Sequence, residues 1–477
     1  MMRTKGRGSF TEELCTRCGE EPAIFCCKEC FSKELVCRRC CVKLHLNNPL
    51  HFIEEWTGKF FKKTSLYHLG LWVQLSHDDQ SRCPIPKFSK LTVIHTTGIQ
   101  HVCVAFCRCF RNAGVSLWKQ LMRYEWYPAT LDHPKTCATA TYDFHSSLVK
   151  LTNNIGQIET KDRYKDFLRI MRQWRHLKML MRAGRGNDGT RNIEQTARGE
   201  LAIDCPACPH PEVNLPSDWD DVSNPLSFIY TQFIAIDACF RLKRKLVSSV
   251  EKDPYLQPGK AYLVEPELFR HYLLTVTDQD EMCTCTGLAA LDYANTRHSK
   301  GYAVTGVGMC CCARHEIVGK NAAVPLQKGE RYANIDYGLG SFLQHVNPRH
   351  PLLVSYDIVC QWSKKCIERL KTLPPEVCLD LETDRVRFVI PKLHIYGHKP
   401  DCQVNFSLNF TKGVGRTDAE GIERTWANMG PVSTSTKEMG PGSHAETLED
   451  HWSHWNWEKI VRFGESFHIL LAYSITN

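Results

Sequence analysis

No uninterrupted apolar run in the 477 residues is long enough to span a bilayer, and no secretory hydrophobic region follows Met1, where MMRTKGRG leads into polar sequence. Neither a membrane partner nor a disulfide-stapled secreted framework is expected. A glycine-rich phosphate loop and a dinucleotide fingerprint are also missing, so nucleotide hydrolysis has no support. What the chain has in excess is cysteine, 25 residues, which in a reducing compartment read as metal ligands and buried apolar side chains. The formal charge of +8 is compatible with a polyanionic partner. The length exceeds one ordinary core, and two to four domains are expected.

The first cysteines run Cys15-x2-Cys18, Cys27-x2-Cys30 and Cys37-x2-Cys40, followed by His45 and His51. Each CxxC lets two thiolates reach one tetrahedral ion, and two structural zinc ions are expected in a segment with few large apolar residues. The ligand order resembles a B-box or other cross-braced zinc finger. That resemblance implies that Cys15, Cys18, Cys37 and Cys40 share one ion and that Cys27, Cys30, His45 and His51 share the other. Cys26 and Cys41 leave the register open. No basic recognition helix follows, and a protein partner is as consistent with this finger as DNA. Residues 1–60 are taken as this domain, with 52–69 reading as a linker rich in Lys, Phe and Trp.

Residues 61–199 read as a mixed strand and helical linking domain with possible DNA binding. LGLWVQLSHD, SRCPIPK and LTVIHTTGIQHVCVAFCRC alternate as short antiparallel strands do, and His77 falls at a polar end. Cys107 and Cys109, with His95 or Cys83, are candidates for another metal site, while Cys103 between valines reads as buried. Residues 140–183 read as helical. There Phe167, Ile170, Met171, Trp174, Leu177, Leu180 and Met181 form one apolar stripe, opposite a basic face read as solvated rather than nucleic-acid-binding. Gly184–Glu200 is a polar break and the preferred boundary. Next, Cys205 and Cys208 form half a zinc site. Cys312 and His315 are the preferred completion, with Cys283 and Cys285 competing.

In FIAIDACFRLKRK and PLLVSYDIVCQW, Asp237 and Asp357 sit at the ends of apolar strand-like runs. GRTDAEGIERTWANMG then places Asp418, Glu420 and Glu423 at the start of a helix. Carboxylates converging from separate elements can hold two hard divalent ions for phosphoryl transfer. Neighbouring strands are expected near YAVTGVGMCC, MCTCTGLAALDYA and DRVRFVIPKLHIYG. The result is a mixed α/β sheet with helices on its faces, compatible with a ribonuclease-H-like core. RLKRK could neutralise phosphates beside Asp237. His394 and His398 read as substrate-side or structural, or as a zinc site with Cys402. Trp452, Trp455 and Trp457 read as core anchors of a terminal helix rather than base-stacking groups.

Taken together, CPACPHPEVNLP, FIAIDACFRLKR, CARHEIV, QKGERYANIDYG, VSYDIVCQW, PKLHIYGH and GVGRTDAEGIERTWANMGPVSTSTKEMGPG resemble the fungal KDZ (Kyakuja-Dileera-Zisupton) transposases and their associated CxC cysteine cluster, from roughly Leu71 onward. The resemblance implies a DDE-type catalytic core over 200–477, with Cys312 and His315 in a zinc-associated insertion. It implies Asp237, Asp357 and a glutamate as the acids, Glu420 favoured and Glu423 open. It further implies Mg2+ or Mn2+ as two catalytic ions held by Asp237, Asp357 and Glu420, cleavage and strand transfer at transposon ends into target DNA, a homo-oligomer, and the nucleus. Such transposases continue well past the glutamate helix, so a truncated or decayed copy is an expectation too. The alternatives are a catalytically inactive, transposon-derived DNA- or chromatin-binding zinc protein and a zinc adaptor.

Overall fold

The computed structural model describes residues 13–75, 83–95, 98–109, 141–152, 162–221, 225–276, 301–327 and 329–464. The chain forms two compact units that divide between Met171 and Arg172. Among the described residues no helix is long and apolar enough to cross a membrane. His77, Cys283, Cys285 and the MCTCTGLAALDYA segment lie outside the described residues.

In the first unit, β1 (Phe25–Cys27), β2 (Phe52–Trp56) and β3 (Phe61–Ser65) form an antiparallel sheet. Its core is small and rich in thiols, with Cys15, Cys27, Cys37 and Cys41 beside Phe25, Val36, Ile53, Leu66, Leu69 and Leu71. Residues 52–69 are therefore not a linker. Lys62 and Lys63 are strand residues in register with Glu55 and Glu54, Lys63 donates to the Leu151 carbonyl at 2.8 Å, Glu54 pairs with Lys28 at 2.9 Å, and Ile53 and Leu66 are buried.

A second sheet holds β4 (Trp72–Leu75), β5 (Pro86–His95) and β6 (Gly98–Cys107). β5 and β6 are antiparallel along their whole length, as the alternation suggested, but β4 runs parallel to β6. The helices Thr141–Thr152 and Tyr164–Arg182 follow. Phe167, Met171, Trp174 and Leu180 of the expected stripe are buried, whereas Ile170 and Met181 face outward. The basic residues at the end of the second helix are not a solvated face. Arg172 pairs with Asp253 at 2.6 Å and with Glu446, Arg175 with Asp450 at 3.3 Å, and Arg182 donates to Ser453 at 2.9 Å.

The second unit is built on a five-stranded sheet. Its members are β7 (Gln232–Cys239), β10 (Gly306–Cys312), β11 (Val318–Leu326), β12 (Leu352–Tyr356) and β13 (Val386–Val389), in the order β11-β10-β7-β12-β13. The short pair β8 (Arg244–Lys245) and β9 (Tyr302–Val304) lies apart from it. β10 runs antiparallel to its neighbours β11 and β7, while β12 runs parallel to both β7 and β13. The sheet is covered on both faces, which is why β10 and β12 are buried at every residue.

The period of two along a strand sorts the two layers. Ile234, Ile236, Val354 and Tyr356 join the core that holds the buried helix Tyr332–Leu343. Phe233, Ala235, Leu353 and Met309 join the opposite core, with Ile422, Trp426 and Met429 of the helix Gly421–Met429 and Leu448 and Trp452 of the helix Pro441–Val461. Trp452 is a core anchor as expected, Trp455 is partly buried, and Trp457 faces outward.

Candidate functional site

Asp237 lies within β7, opposite Met309 of β10. β12 ends at Tyr356, which pairs with Ile236 on a parallel strand, so Asp357 follows directly beside Asp237. Asp237 has the same parity as Phe233 and Ala235 and faces the layer of the helix Gly421–Met429. From that helix Trp426 donates its indole N–H to Asp237 Oδ2 at 2.7 Å.

Glu420 is the residue that caps this helix, and it is buried. Its Oε1 accepts the N–H of Leu393 at 2.7 Å, and its Oε2 is 3.4 Å from His394 Nδ1. His394 Nε2 is 3.4 Å from Asp357 Oδ2, so one imidazole spans the two carboxyls. Glu423 sits exposed on the first helical turn.

Crowding raises the proton affinity of this group. Burial, then the charges of Glu330, Glu423 and Glu420, push the Asp357 carboxyl up to about 8. Burial, then Asp357 and Glu423, push Asp237 well above the usual carboxylate range. Carboxyls set this close cannot all ionise without a countercharge, and hard oxygen donors of this kind suit a divalent cation.

The backbone before the helix is held in an unusual shape. Ala419 is fully buried with φ +60°, a left-handed conformation that a methyl-bearing residue adopts at a cost. A Cβ on Gly421 would clash with Glu316 Cγ, so glycine is required there by close approach. Glu316 ties several elements together. Its carboxylate takes Arg424 Nε at 2.6 Å and pairs with Lys459, and its carbonyl accepts Trp455 Nε1 at 2.6 Å.

Sequence reasoning did not assign roles to Glu330 or Trp426, and it read His394 as substrate-side or structural, or as a zinc ligand with Cys402, without its contacts to Asp357 and Glu420. Glu330 accepts the hydroxyl of Tyr356, whose ring is buried one residue before Asp357. Trp426 could have been found from helical spacing, one turn beyond Glu423 on the inward face. Glu330 carries no comparable local signal. RLKRK is largely engaged: Leu242 is buried, Arg244 is half-buried, and Lys245 pairs with Glu438 at 2.5 Å.

Three four-donor clusters assemble from the cysteines and histidines that the spacing singled out. Cys15, Cys18, Cys37 and Cys40 converge, as do Cys27, Cys30, His45 and His51, and Cys205, Cys208, Cys312 and His315. Two sulfurs on one tetrahedral zinc stand about 3.8 Å apart, and a sulfur and an imidazole nitrogen about 3.6 Å, given the usual bond lengths. Here Cys18 and Cys37 are 3.8 Å apart, Cys27 and His51 Nδ1 3.5 Å, and Cys30 and His45 Nε2 3.4 Å. The free Nδ1 of His45 meets the Cys41 carbonyl at 2.7 Å, the outer contact that orients a ligating imidazole. In the third cluster Cys208 and Cys312 are 3.3 Å apart, as are Cys312 and His315 Nδ1. The donor sets fit zinc.

Cys83, Cys107 and Cys109 form a smaller buried group, with Cys107 and Cys109 3.3 Å apart. His95 does not join it, because the register pairs Cys107 with Pro86 and His95 with Gly98 at the other end of the hairpin. Cys103 is half-buried rather than enclosed.

A mixed α/β protein with thiolate–imidazole metal clusters and a strand-borne group of acids is the class these features define. The Kyakuja-Dileera-Zisupton transposase profile matches residues 230–456, which contain all four acids. The profile of the CxC2-like cysteine cluster associated with KDZ transposases matches residues 66–165. These two segments are similar to KDZ transposases and to their associated cysteine cluster, a likeness that at the coarse level points to a transposon-related, DNA-binding function. The two amino-terminal clusters lie before the CxC2 match. No curated protein and no solved structure matches the chain.

Proposed function

We propose that the chain is a DDE-type DNA transposase acting in the nucleus as a homo-oligomer. It would cut DNA at transposon ends and join the freed 3′-hydroxyl to target DNA. The observation that carries this reading is the placement of Asp237 and Asp357 side by side on parallel strands, facing a helix that begins with two glutamates. The strand arrangement supports a ribonuclease-H-like core: three antiparallel strands, then two parallel ones, with the first strand of this sheet in chain order, β7, at the centre.

Asp237, Asp357 and one glutamate would hold Mg2+ or Mn2+. Bound there, two such ions would orient an attacking oxygen and stabilise the leaving oxygen of an in-line displacement. Glu423 is the better third ligand on this geometry, since it is exposed and its charge bears on both aspartates. Glu420 is engaged by Leu393 and His394 and would position that imidazole against Asp357. Trp426 orients Asp237 and keeps one of its oxygens turned toward the helix. The thiolate clusters would carry structural zinc, and the amino-terminal pair, built like a B-box, would present a surface for a protein partner.

The test is cleavage of a labelled transposon-end duplex in Mg2+ or Mn2+ by the wild type and by Asp237→Asn, Asp357→Asn, Glu420→Gln and Glu423→Gln. Loss of product in both aspartate variants and in Glu423→Gln is expected, with Glu420→Gln slowed. Wild type that binds the duplex and never cuts, across several ends and both metals, would replace this reading with a silent DNA-binding protein.

A further inference from the structure

Cys360, His398 and Cys402 bring three donor atoms together in the second unit, apart from the four-donor clusters and with Cys360 rather than His394 beside His398 and Cys402. Cys360 and His398 are buried, and Cys402 is half-buried. Cys360 Sγ is 3.6 Å from His398 Nδ1, the separation of a thiolate and an imidazole that share one tetrahedral zinc, about 3.6 Å from ordinary bond lengths. In the four-donor clusters of this chain the corresponding sulfur-to-nitrogen distances run from 3.3 to 4.0 Å.

We propose that Cys360, His398 and Cys402 form a further zinc site, with three protein donors and one position left for water or an external donor. The elements it joins lie beside the acids. Cys360 belongs to the short helix Val359–Trp362 just after Asp357, and His398 closes the turn His394–Gly397 whose first residue meets Asp357 and Glu420. An ion here clamps both partners of the Asp357–His394 contact from behind. The proposal does not rest on DNA cleavage.

The test uses the full chain purified with zinc and dialysed against metal-free buffer. Cys402→Ser is expected to carry one zinc equivalent fewer than the wild type by elemental analysis, with unchanged circular dichroism. In cobalt-loaded protein it should lose part of the thiolate-to-cobalt absorption. A folded variant with the wild-type zinc count overturns the proposal. Site-resolved alkylation of the unmutated chain decides the matter if the variant does not fold. Cys402 should then be protected until a chelator is added, whereas Cys378, half-buried and in none of the clusters, should label equally before and after. Equal labelling of Cys402 with and without chelator overturns the proposal independently.

Discussion

Trp426, on the buried side of the helix Gly421–Met429, donates a 2.7 Å hydrogen bond to Asp237 in the central strand. Burial of the indole in the core beneath the helix fixes the donor, and the donor fixes one carboxylate oxygen.

Trp426→Phe keeps the packing and removes that donor. A hydrogen bond to a charged group contributes about 1.5 to 3 kcal/mol, so metal-dependent cleavage should fall roughly 10- to 100-fold without vanishing. Asp237→Asn should abolish it. Single-turnover rates at saturating metal are the measurement, and an unchanged rate in Trp426→Phe would remove the indole from the site.

The acids should make the metal-free protein less stable as pH rises. Asp357 binds its proton up to about 8 when folded and up to about 3.9 when unfolded, so unfolding releases a proton between those values. Stability conferred by the protonated site is fully present below pH 4 and is lost as pH rises toward 8, by roughly 2 to 5 kcal/mol. Asp357→Asn should flatten that slope, and Mg2+ should restore stability at pH 8 by favouring the ionised form. Denaturant midpoints at pH 5 and pH 8, with and without Mg2+, read this directly, and parallel slopes for variant and wild type would contradict it.

The approach to the helix is set by Ala419 and Gly421. Ala419→Gly relieves a left-handed residue but deletes a buried methyl, and stability should change by less than about 1 kcal/mol. Ala419→Val adds a branched side chain at φ +60° in a fully buried position and should cost about 2 kcal/mol or more. Gly421→Ala pushes against Glu316, whose side chain is held by Arg424 and Lys459, and should cost about 1 to 3 kcal/mol. Equilibrium unfolding of the three variants ranks them.

Zinc removal should act unevenly. The amino-terminal core is small and includes the ligand cysteines Cys15, Cys27 and Cys37, so chelation should unfold residues 13–71 and open them to protease. The five-stranded sheet has large apolar cores on both faces and should outlast that treatment. Limited proteolysis followed by mass spectrometry distinguishes the two regions. Simultaneous digestion of both would show that the sheet depends on metal equally.

Much of this was legible in the chain. Asp237 and Asp357 were visible because buried strands read as short apolar runs, and a carboxylate at the end of one stands out. The CxxC pairs were visible because their chemistry needs a fixed local spacing. The strands at 52–65 were missed because an exposed two-charge face looks like a linker until the cross-strand pairing of Lys62 with Glu55 and Lys63 with Glu54 is known. Glu330 was missed because its effect on Asp357 comes through space, by way of a segment with no motif of its own.

By itself the amino-acid sequence determined the ligand types, the local pairs and the apolar faces, since each depends on residues a few positions apart. Only the tertiary structure decided that Cys205 and Cys208 meet Cys312 and His315, that His394 spans Asp357 and Glu420, and that Trp426 holds Asp237. Those relationships depend on strand register and on which face a side chain takes. A shift of one residue in β7 would turn Asp237 to the opposite layer, and no local pattern encodes that choice without the partner strands.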